Sequence, residues 1–146
     1  MAIKSFRGLI AHNTQDTVAL HTNTGSTGYR IKKLDVISSL PATTTQESVV
    51  KIFKVDNKTI DETIDFSDNT LLAAAYFEGH SNSTEFGGRV IIFDNEIFNQ
   101  DIYIMCFDGS GGSQPINYYF ELEQVRLALD ENTVATLKDI RNIESV

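Results

Sequence analysis

Leu71-Leu-Ala-Ala-Ala-Tyr-Phe77 carries apolar residues on both parities, and whether it winds as a helix or extends as a strand decides the fold. Alanine and leucine favour a helix by propensity. The run is only seven residues long before Glu78-Gly79 interrupts it, which suits a central strand buried on both faces whose small side chains permit close approach. On either side, short apolar runs alternate with Gly, Asn, Asp and Ser punctuation, the pattern of an antiparallel β protein.

Upstream, Ser48 to Val55 and Thr59 to Phe66 flank Asp56-Asn-Lys58 and are expected to form a hairpin, since Asx residues tolerate positive φ. Ile60, Ile64 and Phe66 would share one face of its second strand. Leu40-Pro-Ala-Thr-Thr-Thr-Gln46 is expected to cross between sheets, because Pro41 lacks an amide donor. Ala2 to Leu9 fits a first strand or an N-terminal arm over residues 1–10, anchored by Ile3 and Phe6. Thr17 to Thr22 fits a second strand, and Asn23 to Gly28 a turn. In Tyr29 to Ser38, Tyr29 and Ile31 share one parity while Leu34 and Val36 share the other. One strand can bury both pairs only if a bulge intervenes near Lys32 and Lys33.

Downstream, Glu78 to Gly88 is a polar loop, and Arg89 to Phe98 with Asp101 to Phe107 is expected to form a second, central hairpin around Asn99-Gln100. Asp108-Gly-Ser-Gly-Gly-Ser-Gln114 is expected to be a flexible loop, and Ile116 to Leu127 the long last strand. Leu129 to Asn142 reads as a helix: Asp130 is its N-cap, Leu129 can staple onto Val134, and Val134, Leu137 and Ile140 form one apolar stripe. The expected fold is all-β, an antiparallel β-sandwich or jelly-roll-like barrel with one C-terminal α-helix at 129–142, in a single domain over 1–146. A chain of this length buries about 68–70% of its unfolded surface without staples.

The net charge is −8, unevenly spread. Residues 1–58 hold eight Lys/Arg and four Asp/Glu, or +4; residues 59–146 hold four and sixteen, or −12. Overall acidity argues against nucleic acid as a partner. Either the halves interleave and their charges mix, or the molecule is polar and its basic side meets a neighbour's acidic side. The N-terminus lacks the apolar stretch of a signal peptide, and no run reaches the ~20 residues of a membrane helix. A protein made in a cytoplasm, without a membrane partner, is expected. Cys106, the lone cysteine, sits in Ile102-Tyr-Ile-Met-Cys-Phe107 and reads as core.

No catalytic constellation emerges, and the chain is expected not to be an enzyme and to need no cofactor or metal. His12, His21 and His80 lack zinc-site spacing. Asp94-Asn-Glu96 and Asp65-Phe-Ser-Asp68 offer oxygen ligands for Ca²⁺, though turn formation accounts for both. Glu121 and Glu123 lie about 7 Å apart on one strand face, a spacing a two-carboxylate hydrolase could use. The plainer reading is a solvent face opposite Phe120 and Leu122. Of Tyr118-Tyr119-Phe120, Tyr119 is expected outside, where it could serve an interface or a carbohydrate-binding module.

Three segments, Tyr29-Arg-Ile-Lys-Lys-Leu-Asp-Val-Ile37, Ser48-Val-Val-Lys-Ile-Phe-Lys54 and Tyr118-Tyr-Phe-Glu-Leu-Glu-Gln-Val-Arg-Leu-Ala-Leu-Asp130, resemble small virion proteins of marine tailed phages, cyanophages especially. That resemblance implies a non-enzymatic part of the particle, made in the host cytoplasm. It would be a decoration or cement protein bound to the major capsid protein, or a neck or tail piece, forming a homo-oligomer, with a trimer favoured. By pattern, the expected interface residues are Ile3, Phe6, Arg7, Lys32, Lys33, Tyr119, Val134 and Leu137.

Overall fold

A computed structural model describes residues 2–20, 27–41, 45–79 and 86–127. Within them the chain is all-β, with no helix. The strands are β1 (Ile3–Ile10), β2 (Thr14–Val18), β3 (Thr27–Ser38), β4 (Gln46–Phe53), β5 (Leu71–Gly79), β6 (Phe86–Ile92), β7 (Ile102–Asp108) and β8 (Ile116–Arg126). They form two antiparallel sheets, one ordered β1-β8-β3 and the other β2-β7-β4-β5-β6. The expected helix over 129–142 lies outside the described residues.

Strand alternation explains how the sheets close on each other. Ile10, Ile31, Leu34, Phe120 and Leu122 from the three-stranded sheet meet Val50, Ile52, Ala73, Ala75, Ile104 and Cys106 from the five-stranded one. Each large side chain buried there is worth about 1.5–3 kcal/mol. Leu71–Gly79 is an internal strand of its sheet, as its length indicates. Ala73 and Ala75 face the main core, while Ala74 packs with Phe53, Leu71 and Met105 on the sheet's other side. One of the crossings between sheets falls between β3 and β4, where Pro41 stands.

The expected bulge is present. Pairing of β3 with β8 shifts register between Ile31 and Lys33, so Tyr29, Ile31 and Leu34 all point inward with Val36 packed beside them. Lys32 and Lys33 remain exposed.

Several expectations are corrected. For residues 2–9 the first of the two alternatives holds, a first strand rather than an arm, because β1 pairs with β8 from Ile3 to Ile10. The second strand lies earlier than Thr17 to Thr22, since Asn13 takes a positive φ of 58° and starts β2 at Thr14. Thr59 to Phe66 is not a strand. Asp61, Asp65 and Asp68 accept backbone N–H bonds from Thr63, Ser67 and Thr70, and such local bonds compete with a ladder. Lys51, buried on the outward side of β4, adds a second reason, because its ammonium needs partners. Asp61 Oδ1 at 3.0 Å and Thr63 O at 2.6 Å supply them, drawing the segment across the sheet.

The second expected hairpin is also absent. β6 pairs with β5 and lies at the sheet's edge, whereas β7 sits between β2 and β4. Phe98 departs to exchange backbone bonds with Tyr29, at 2.7 and 2.9 Å, and is fully buried. Residues 108–114, expected to be flexible, are organised by buried Asp108. Its carboxylate accepts from the N–H groups of Glu47, Ser110 and Gln114 and from Ser110 Oγ. Burial works to raise the Asp108 carboxyl, but those bonds outweigh it and hold the group below the ordinary carboxylate range.

Two outcomes follow. Deleting Lys32 removes the bulge and turns one apolar pair to water. The unfolding free energy in urea should fall by about 4 kcal/mol or more, while Lys32→Ala stays within about 0.5 kcal/mol. A small loss on deletion would show that the bulge is not what buries both pairs. For Asp108, a depressed folded pKa means stabilisation that is present above the unfolded pKa of about 3.9 and lost as pH falls through the folded value. Asp108→Asn should therefore lose about 1.5–3 kcal/mol at neutral pH, with the gap to wild type closing in acid.

Candidate functional site

The bulge that buries Leu34 and Val36 also dictates what the three-stranded sheet shows on its other side. Register places four cross-strand rows there: Ile3–Glu123–Arg30, Ser5–Glu121–Lys33, Arg7–Tyr119–Asp35 and Leu9–Asn117–Ile37. In the first two rows the charges have partners: Glu123 takes Arg30, Glu121 takes the Tyr119 hydroxyl and Lys33 lies against Asp35. The last row is apolar and open, with Leu9 56% and Ile37 59% exposed.

Arg30 donates through Nε (3.0 Å) and Nη2 (2.5 Å) to Glu123 Oε1, and this contact holds the Glu123 carboxyl below its ordinary range. Tyr119 donates its hydroxyl to Glu121 at 2.5 Å. Because that bond and the nearby negative charge favour the neutral phenol, the Tyr119 pKa is raised. Lys33 Nζ lies 5.8 Å from the centre of the Tyr119 ring and 3.6 Å from Asp35. Between Arg7, Leu9, Asp35, Ile37, Asn117 and Tyr119 the surface dips into a depression of about 420 Å³. An apolar row beside an aromatic ring, rimmed by charges of both signs, is the anatomy of a protein contact patch.

Of the residues expected at an interface, Ile3, Arg7, Lys33 and Tyr119 come together on this face, and Lys32 stands exposed on the bulge beside it. Phe6 is corrected: it lies on the inner side, stacked on Phe120 at 5.2 Å. Val134 and Leu137 lie outside the described residues. Leu9 and Ile37 had not been singled out. The signal was available for Ile37, because a bulge that turns Leu34 and Val36 inward must turn Ile37 outward.

Among the described residues, charges of the two halves of the sequence mix. Basic β3 pairs with acidic β8 through Arg30–Glu123, and Lys51, Lys54 and Lys58 of the first half meet Asp61, Glu96 and Asp68 of the second.

Chemistry elsewhere is modest. Glu121 and Glu123 are engaged by Tyr119 and Arg30, and the downward shift of Glu123 is opposite to what a general acid requires. Burial, reinforced by Asp108, pushes the Cys106 thiol up to about 11, which makes it a poor nucleophile. His12 Nδ1 accepts the Asp108 N–H at 2.9 Å, while His21 and His80 fall outside the described residues. Asp65 and Asp68 spend oxygens on Ser67 and Thr70, Glu96 meets Lys54, and no metal-binding group of three His, Cys, Asp or Glu occurs among the described residues. A second depression, of about 360 Å³, is lined by Lys54, Asp56, Asn57, Asn99, Asp101 and Tyr103 among others.

No protein-family model, curated protein or solved structure matches this chain.

The Tyr119–Glu121 bond can be read directly. Absorbance titration of the phenolates should show one tyrosine shifting toward the ordinary value of about 10 in Glu121→Gln, and that transition should vanish in Tyr119→Phe. An unchanged titration would show that the bond does not form in solution.

Proposed function

We propose that this chain is a non-enzymatic structural protein of a tailed-phage particle, a capsid decoration or cement protein that stabilises the head through oligomeric contacts with itself and with the major capsid protein. On this reading the two sheets are the body of a β-sandwich, and residues 129–142 add a C-terminal helix whose Val134 and Leu137 stripe serves the same contacts. The protein would be made in the host cytoplasm and reside in the virion.

One observation carries the reading. The three-stranded sheet leaves Leu9 and Ile37 open in the row beside Tyr119, on a face where most charges are already matched. Exposed apolar side chains gathered into one patch mark interaction surfaces. Charge matching removes the strong single-sign field that would direct the face toward nucleic acid. The resemblance of Tyr29–Ile37 and Tyr118–Asp130 to phage virion proteins supplies the particle.

A second reading, a carbohydrate-binding module, has its own support in the other depression. Two carboxylates, three amides and the Tyr103 ring converge there, the donor and acceptor mix that sugar hydroxyls need. It predicts glycan-dependent thermal stabilisation lost in Tyr103→Ala.

Co-sedimentation with expanded cyanophage heads lacking their decoration layer tests the first reading. Saturable binding is expected, weakened at least about tenfold by Ile37→Asp, equivalent to about 1.4 kcal/mol. Absence of binding to heads, together with binding to tails or to a glycan array, would overturn it.

A further inference from the structure

We propose that the outer face of the three-stranded sheet pairs with the same face of a second copy, about a two-fold axis lying between the copies and parallel to β8. The inference rests on reading this face as the assembly surface and adds its occupant and its symmetry.

β8 is the middle strand, with β1 on one side and β3 on the other. Rotation about an axis parallel to β8 sets β8 over β8 and lays β1 of one copy over β3 of its partner. Within each row the outer residues then exchange. Leu9 meets the partner's Ile37, and Arg7 meets the partner's Asp35, each contact made twice. Two of the most exposed large apolar residues of the described chain thus cover each other. Arg7, which forms no ion pair with a described residue of its own chain, gains a carboxylate, and Asp35 gains a cation beyond the 3.6 Å contact with Lys33.

The alternative axis, across the strands and centred on the Tyr119 row, would set β1 over β1. Arg7 would then face the partner's Arg7, and Asp35 the partner's Asp35. Like charges brought together in this way are disfavoured. Charge complementarity therefore selects one two-fold arrangement. A self-complementary patch of this kind closes as a dimer, not as the three-fold ring that the phage resemblance favoured.

Sheets packed face to face cross at about 30°, so contact is closest where the strands cross, and in the proposed arrangement that crossing falls at one end. The Leu9–Asn117–Ile37 and Arg7–Tyr119–Asp35 rows are that end, and the Glu121 and Glu123 rows splay apart. This relieves the repulsion that Glu121 and Glu123 would otherwise meet on the axis. Three strands about 4.8 Å apart present a narrow face, offering well under the roughly 800 Å² per partner of a standard interface. The dimer is accordingly weak and reversible in solution, and it gains strength on a particle where copies are held close.

Residues 129–142 are a poorer occupant. Leu127 follows β8 at the end opposite the apolar row, about 33 Å from Asn117 at ~3.3 Å per residue. A helix of the length that the sequence pattern predicts there spans only about 20 Å.

Sedimentation velocity of the full chain, from tens to hundreds of micromolar, tests the proposal, with circular dichroism confirming that each variant is folded. Wild type should show a concentration-dependent rise from 16.3 kDa toward twice that mass. Arg7→Glu and Asp35→Arg should each weaken association at least about tenfold, and the double exchange should restore it to within about threefold, because each reversed charge again meets its opposite. Wild type that stays monomeric throughout, singles without effect, or a double variant no better than the singles would overturn the proposal. So would a trimer. Heads that bind a strictly monomeric wild type would refute the two-fold contact while leaving the virion reading intact.

Discussion

A single inserted residue organises much of this molecule. The register shift between Ile31 and Lys33 lets one strand bury Tyr29 and Ile31 before the bulge and Leu34 beyond it, with Val36 packed alongside. Without it, period-2 alternation would send one set to solvent. The inner consequence is a continuous core against the five-stranded sheet. The outer consequence is the sequence of rows on the opposite face, since the same half-turn exposes Lys33, Asp35 and Ile37 beside Tyr119 and Asn117. Core and candidate interface are thus two results of one backbone irregularity, and neither can be altered in register without altering the other.

Polar groups placed in the interior shape the rest. Lys51 sits on the outward side of β4 and is buried because Asp61 and Thr63 close over it. The covering segment also brings Ile60 against Phe53, Leu71, Ala74 and Met105, with Phe93 beside them. This gives the five-stranded sheet a second, smaller core, while among the described residues the three-stranded sheet is left bare outside. Asp108 acts similarly on the glycine-rich loop, where three backbone N–H groups converge on one carboxylate. In both places a charge that would be costly to bury alone is retained because it fixes a loop.

What could be read from residues follows the same division. The length of Leu71–Phe77 indicates a strand, and the parity conflict within Tyr29–Val36 locates the bulge, because both are local statements about alternation. Thr59–Phe66 misleads, since Ile60, Ile64 and Phe66 alternate as a strand would. The competing claim of Lys51 on Asp61 is tertiary and cannot be seen in that segment. Arg89–Phe98 misleads for a related reason: Phe98 belongs to the core beside Tyr29, so the chain leaves the ladder after Ile92. The face itself was half legible. Ile3, Arg7, Lys33 and Tyr119 follow from exposure patterns and Ile37 from the bulge, whereas Phe6 falls on the inner side and Leu9 requires knowing that β1 lies beside β8.

If copies meet on the open face of the three-stranded sheet, residues of that face lie close to their counterparts in a second copy. With Cys106 buried and unreactive, a cysteine placed by Tyr119→Cys should be joined to its counterpart in a second copy by a bis-maleimide about 10 Å long, the spacing of packed sheets. A covalent dimer is expected from Tyr119→Cys and none from Arg89→Cys on the far edge strand β6. Cross-linking through Arg89→Cys with none through Tyr119→Cys would contradict it.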